Sequence, residues 1–193
     1  MSDSLLQIRN LGCLREGRLL FAHLDLDVRA GECIELTGPN GSGKSTLLRC
    51  LCGFFPDYSG SIRAEPVAYL GHKPGISSLL SPRQNLAWYA AFGSSSDDHI
   101  AVLERVGLAG YEDVRCQRLS AGQQRRVALA RLILDDRRLW LLDEPFTALD
   151  HSGQSLVREL VSAHLQEGGA AICATHQPLE LSGARPLQLG LVV

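Results

Sequence analysis

Residues 38–46 read Gly-Pro-Asn-Gly-Ser-Gly-Lys-Ser-Thr, and no other stretch restricts the fold of this chain as tightly. The run fits G-x-x-x-x-G-K-[ST] at every position. Such a loop needs a strand before it and a helix behind it. Cys33-Ile34-Glu35-Leu36 is short and largely apolar, as a buried strand is. Leu47, Leu48 and Leu51 recur at helical spacing, and Gly53 stands where such a helix would stop. Gly38, Gly41 and Gly43 let the backbone curl so that its N–H groups converge on an anion. The helix N-terminus behind them adds partial positive charge. The expectation is a nucleoside triphosphate site in an α/β fold. Lys44 reaches the β- and γ-phosphates, the Ser45 hydroxyl ligates Mg²⁺, and Pro39, Asn40, Ser42 and Thr46 shape the cradle.

A second run, Leu119 to Asp150, says more about the kind of machine. Ser120 followed by Gln123 makes a capping box at a helix start. Val127, Ala130, Leu132 and Leu134 supply an apolar side, and Arg125, Arg126 and Arg131 are expected to face water or phosphate. Leu139-Trp140-Leu141-Leu142 is a continuous apolar segment, as in a parallel strand buried on both faces. Asp143 and Glu144 emerge at its C-terminal end, where open α/β sheets place their ligand sites. Asp143 is expected on Mg²⁺, directly or through water, and Glu144 is placed to take a proton from an attacking water. Alone, an Asp-Glu pair at a strand end is an ordinary turn; beside a phosphate loop it suits hydrolysis. His176 follows another apolar segment, Ala170-Ala171-Ile172-Cys173-Ala174.

Together these residues resemble the ATP-binding subunits of ABC transporters, over nearly the whole chain. The resemblance rests on Walker A at Gly38–Thr46, a signature Leu119-Ser120-Ala121-Gly122-Gln123, and Walker B ending Leu142-Asp143-Glu144-Pro145. It extends to a D-loop Ala148-Leu149-Asp150 and a switch histidine His176 in Ala174-Thr175-His176. It implies a P-loop NTPase of ABC type that hydrolyses ATP with Mg²⁺. Two copies would sandwich two ATP molecules head to tail. Lys44, Glu144 and His176 would act on a subunit's own ATP. Ser120, Ala121, Gly122 and Gln123 would serve the partner's, because a capped helix N-terminus is an anion site.

Two positions depart from the family pattern. The loop after the strand Val67-Ala68-Tyr69-Leu70 is Gly71-His72-Lys73-Pro74-Gly75, so His72 falls where the family's Q-loop carries glutamine. Arg15 falls near the position of the aromatic ring that stacks on adenine, and a guanidinium plane can stack on a base too. Either departure is a functional substitution or surface variation. With Cys13, Leu20-Phe21 and the Gln177-Pro178-Leu179 tail after His176, they resemble the haem-exporter-type ATPases of cytochrome c maturation. That branch implies a peripheral subunit on the cytoplasmic face of the inner membrane, bound to integral membrane subunits. It also implies work on haem export or release of a haem-loaded chaperone.

Composition agrees. The 193 residues are 45% hydrophobic, enough for one α/β core. A net charge of -2 gives no strongly basic surface, so nucleic acid is not an expected partner. The six cysteines are scattered without a C-x-x-C pair, several of them in core segments, as reduced thiols would be. The adjacent pair Cys50 and Cys52 points to different helix faces. The six histidines form no obvious haem-ligand constellation. No signal sequence is expected, and no segment approaches the ~20 apolar residues that span a bilayer.

The chain, residues 1–193, is expected to form one ABC ATPase domain. Residues 4–72 and 137–193 form the core with the ATP-binding sheet, and 73–136 form a helical subdomain carrying the signature. Within the core, 4–30 read as antiparallel edge strands, because Leu24, Leu26 and Val28 alternate with Asp25, Asp27 and Arg29. Residues 31–70 and 137–193 read as carrying the parallel core sheet and its helices. Gly93–Asp98 reads as a polar loop, with Asp97 or Asp98 starting the next helix. The aromatic-rich Asn85–Phe92 segment either packs within the helical subdomain or grips a membrane partner. Other readings are an ATPase for another small substrate, a soluble ABC protein acting on nucleic acid or ribosomes, and a non-hydrolysing scaffold. The absence of a long coiled-coil insert or second cassette weighs against the soluble reading, and the complete set Lys44, Asp143, Glu144 and His176 weighs against the scaffold.

Overall fold

The computed structural model describes residues 4–91 and 98–190. By contacts the chain divides into two compact units. The first holds residues up to Tyr69, Arg137–Pro145 and those from Val161 onward; the second holds Leu70–Asp136 and Phe146–Leu160.

The first unit is built on two sheets. In one, β1 (Ser4–Arg15) pairs antiparallel with β2 (Arg18–Arg29) and with β4 (Ser59–Ala64), in the order β2-β1-β4. Glu16 and Gly17, both at positive φ (+50° and +76°), close the β1–β2 hairpin, as a tight turn with left-handed central residues does. The other sheet has the order β5-β6-β7-β3-β8, from β5 (Val67–Leu70), β6 (Leu139–Asp143), β7 (Ala170–Ala174), β3 (Cys33–Thr37) and β8 (Arg185–Gln188). The pairs β6–β7, β7–β3 and β3–β8 are parallel. All of β6 and β7 is buried, and α1 (Lys44–Leu51) buries Leu47, Leu48 and Leu51 in the same core as Leu139, Leu141 and Ile172. Each such aliphatic side chain contributes about 1.5–3 kcal/mol.

One strand departs from expectation. Residues 59–64 join the antiparallel sheet, not the parallel one. Ser59-Gly60-Ser61-Ile62-Arg63-Ala64 is mostly exposed, whereas a central parallel strand must be apolar on both faces.

The second unit is mainly helical, with α2 (Pro82–Ala90), α3 (His99–Arg105), a 3-10 turn (Cys116–Arg118) and α4 (Ala121–Ile133). The helix α5 (His151–Gln166) starts among its residues. Ser81 and Gln84 form a capping box on α2, with Pro82 in the first turn. Asp98 caps α3 through Ile100 N–H; Phe92 and the expected polar loop 93–97 lie outside the described residues. Buried Asn85 accepts from Ser77 N–H (2.8 Å) and donates to the carbonyls of Ser77 and Ser81 (both 3.1 Å). It thereby ties the loop before α2 to the helix itself. Trp88 is 62% exposed, so most of its ring is not used in packing this unit.

Arg125 was expected to face water or phosphate. It is instead among the largest fully buried side chains, 2% exposed, and donates to the Gly71 carbonyl at 2.7 Å. Arg131 donates to the carbonyls of Pro74 and Gly75 and stacks over Tyr89 at 4.5 Å. The loop Gly71–Gly75 has no strand or helix of its own, and these arginines satisfy its carbonyls. All six cysteines are free thiols, and burial pushes Cys50 and Cys52 up to about 12.

Arg125→Met should lower stability by about 1–3 kcal/mol in urea unfolding, because it leaves the half-buried Gly71 carbonyl without this donor. A loss under about 0.5 kcal/mol would mean that the Gly71 carbonyl finds another partner.

Candidate functional site

In the first unit, three neighbouring strands end at one edge. Ala174 of β7 pairs with Asp143 of β6 and with Leu36 of β3. The phosphate loop leaves β3, Glu144 follows β6, and Thr175 and His176 follow β7. Parallel pairing therefore places three distant chain segments at one C-terminal sheet edge, where open α/β sheets bind ligands.

The loop is shaped by its glycines. Gly38 lies at φ +145°, and a Cβ there would collide with the Leu189 carbonyl. Gly43 lies at φ +97°, with Leu20 and Phe21 against it. Lys44 is buried and arches back over the loop, donating to the carbonyls of Gly38 (2.7 Å) and Pro39 (3.3 Å). The buried Ser42 hydroxyl has no hydrogen-bond partner. An ammonium over a curled backbone, with an orphan hydroxyl in the same loop, fits a phosphate chain.

Ser45 donates to Asp143 Oδ1 at 2.9 Å, so the hydroxyl and carboxylate expected to hold Mg²⁺ are already together. A hard-cation site takes such oxygen donors. Tyr69 adds a longer contact to Asp143 Oδ2, 3.4 Å. Burial, with the nearby Asp143 charge, pushes the phenol up to about 12, so it stays a donor. Glu144 lies at φ +50°, a left-handed backbone that costs a non-glycine residue on the order of 1 kcal/mol. Its N–H is held by the Ala174 carbonyl at 2.8 Å. Its carboxylate is 3.3 Å from His176 Nε2, and Lys44 Nζ is 3.4 Å from the same nitrogen.

Arg15 ends β1 beside the hairpin turn. Its guanidinium is 3.7 Å from Glu16 and 5.9 Å above the Phe55 ring. Its cross-strand partner Arg18 lies beside the phosphate loop, with Nη1 3.8 Å from where a Cβ on Gly41 would sit. Sequence reasoning missed Arg18, because only the hairpin register brings it there. It also missed the contact of Tyr69 with Asp143, for which a strand-end tyrosine carries no signal. Among the described residues, no group of three or more His, Cys, Asp or Glu side chains can hold a metal ion.

In the second unit, α4 begins as the capping box predicts. Ser120 Oγ accepts from Gln123 N–H (3.2 Å), and Gln123 Oε1 accepts from Ser120 N–H (2.9 Å). Ser120 and Ala121 are exposed, so the helix N-terminus is presented outward. Behind it runs the segment Ala148–Asp150. A Cβ on Gly122 would sit 2.8 Å from the Ala148 carbonyl oxygen, and Ala148 itself is at φ +64°. Asp150 accepts from Gly153 N–H (2.9 Å), Ser152 (3.0 Å) and Arg126 (3.0 Å). The Gly153 amide, with Ser152 and Arg126, holds its carboxyl below the usual range. His72 is exposed on the Gly71–Gly75 loop.

The signature glycine thus has a steric duty inside its own subunit. Gly122→Ala should displace Ala148–Asp150 and cut ATP turnover at least tenfold, whereas Ala121→Gly should stay within about twofold, since position 121 is exposed. Equal steady-state rates for the two variants would refute the steric account.

A model of the ABC transporter family matches residues 21–147. The cytochrome c biogenesis ATP-binding export protein CcmA of Pseudomonas syringae pv. syringae is 44% identical, over 96% of this chain and 95% of that protein. The protein of the same name from Hahella chejuensis is 45% identical, over 97% of each, and that from Dechloromonas aromatica 44%, over 96% and 100%. A solved structure of a metal-chelate type ABC transporter in an inward-facing conformation superposes with a TM-score of 0.81. Its identity is 27%, and the match covers 98% of this chain and 81% of that one. The chain belongs to the ABC transporter family, as an ATP-binding subunit of the kind found in the CcmA proteins of cytochrome c biogenesis.

Proposed function

We propose that this chain is the ATP-hydrolysing subunit of a membrane complex for cytochrome c biogenesis, working as a head-to-tail dimer around ATP. The observation that carries the reading is the constellation at the sheet edge: Ser45 bonded to Asp143, with His176 in contact with both Glu144 and Lys44. The phosphate loop, residues 38–46, binds the triphosphate. Lys44 lies on the β- and γ-phosphates. Ser45 and Asp143 would hold Mg²⁺, which would supply charge neutralisation on the phosphate oxygens. A water oxygen bonds to the γ-phosphorus, the bridging oxygen leaves with ADP, and Glu144 accepts the water's proton. His176, beside the Glu144 carboxylate, orients that water. Ser120 and Gly122, at the exposed N-terminus of α4, serve the partner copy's ATP as an anion site.

The cargo side rests on the relatives. Their name, carried over 44–45% identity and nearly full length, supports a role in cytochrome c biogenesis, by haem export or release of a haem-loaded chaperone. No helix of the described residues is long and apolar enough to cross a membrane; the partners in this reading are integral membrane subunits. A peripheral place on the cytoplasmic face of the inner membrane follows from that role. His72 occupies the Q-loop position, and exposed on its clamped loop it is offered as the contact that senses the membrane subunits. Arg15 is offered as an adenine contact.

Glu144→Gln should keep ATP binding, lower turnover by about 10²–10⁴-fold, and trap an ATP-bound dimer. Normal steady-state turnover would remove Glu144 from the role. In the complex with its copurifying membrane subunits, His72→Gln should preserve ATPase while His72→Ala weakens its stimulation; identical behaviour of both would make His72 incidental.

A further inference from the structure

The segment that carries His176 is shaped by one hydroxyl. Thr175 is 2% exposed, and its own N–H donates to the Leu36 carbonyl at 3.2 Å. Its Oγ1 donates to the Gln177 carbonyl at 2.8 Å and accepts from Gln177 N–H at 3.0 Å. The side chain therefore closes a short turn that spans His176. Beyond it, Leu179 is fully buried and anchors the far end of the segment.

The imidazole needs such a support. The His176 side chain is 47% exposed, and its contacts with Glu144 and Lys44, 3.3 Å and 3.4 Å, are long for hydrogen bonds. Contacts of that length leave the ring direction loosely held, so the backbone turn must set it. Threonine suits the task because its β-branch stiffens χ1 in a buried site while its hydroxyl is both donor and acceptor.

We propose that Thr175 is the positioning residue for His176. Its hydroxyl turn fixes the backbone that aims the imidazole at Glu144. The inference rests on the reading of His176 as the partner of Glu144 in turnover. Thr175 touches neither water nor nucleotide in this account and acts only through the histidine.

A double-mutant cycle tests it, with kcat and KM for MgATP measured on Thr175→Val, Thr175→Ser, His176→Ala and the double variant Thr175→Val/His176→Ala. Thr175→Val keeps shape and removes the hydroxyl. It should lower kcat about ten- to a hundredfold, as small misplacements of catalytic groups do, with KM within about twofold. Thr175→Ser, which restores the hydroxyl, should recover most of kcat. In the His176→Ala background the Val change should cause no further loss, because residues acting through one group are not additive. A normal kcat for Thr175→Val overturns the proposal. So does an equal fractional loss with and without His176, which would mark a general packing role. Full turnover in His176→Ala alone would instead sink the reading of His176, and this proposal with it. If Thr175→Val does not fold, Thr175→Ala against Thr175→Ser gives the same comparison.

Discussion

The alignment of three parallel strand ends at Ala174 is the constraint on which the site depends. Ala174 pairs with Asp143 on one side and Leu36 on the other. That register brings the phosphate loop, the Asp143-Glu144 pair and the Thr175-His176 segment to the same edge from three separate stretches of the chain. A slip of one residue in either pairing would turn the buried faces of these strands over. The burial of every residue of β6 and β7 makes that slip costly. Core packing and site geometry are here the same requirement.

Glu144 and Ala148 are non-glycine residues at positive φ, on either side of Pro145-Phe146-Thr147. The strain at Glu144 is held by the hydrogen bond from its N–H to the Ala174 carbonyl, and its carboxylate lies beside His176. At Ala148 the left-handed backbone brings a carbonyl against Gly122, where only a glycine leaves room. The phosphate loop needs both backbone freedom and, at Gly38, the absence of a side chain, whereas Gly122 needs only the latter.

Much of this was legible in the sequence because it is local. The capping box at Ser120 and Gln123, the buried strand before Asp143 and the loop at 38–46 each depend on neighbours a few residues away. What escaped was decided by distant partners. Arg125 reads as a surface cation on an amphipathic helix, yet it is buried because the Gly71 carbonyl needs a donor. Arg18 carries no sequence signal, but the hairpin brings its guanidinium beside Gly41 of the phosphate loop. Residues 59–64 read as part of the parallel sheet and pair with β1 instead.

The sequence by itself determined the fold class, the nucleotide chemistry and the family, since each is carried by short motifs whose residue types have few other uses. Only the tertiary structure decided which side chains meet. It joined Ser45 to Asp143 and set His176 against Glu144. The physical reason is that motifs encode backbone shape and reactive groups locally, whereas distances between motifs follow from strand register and packing, which no short segment contains.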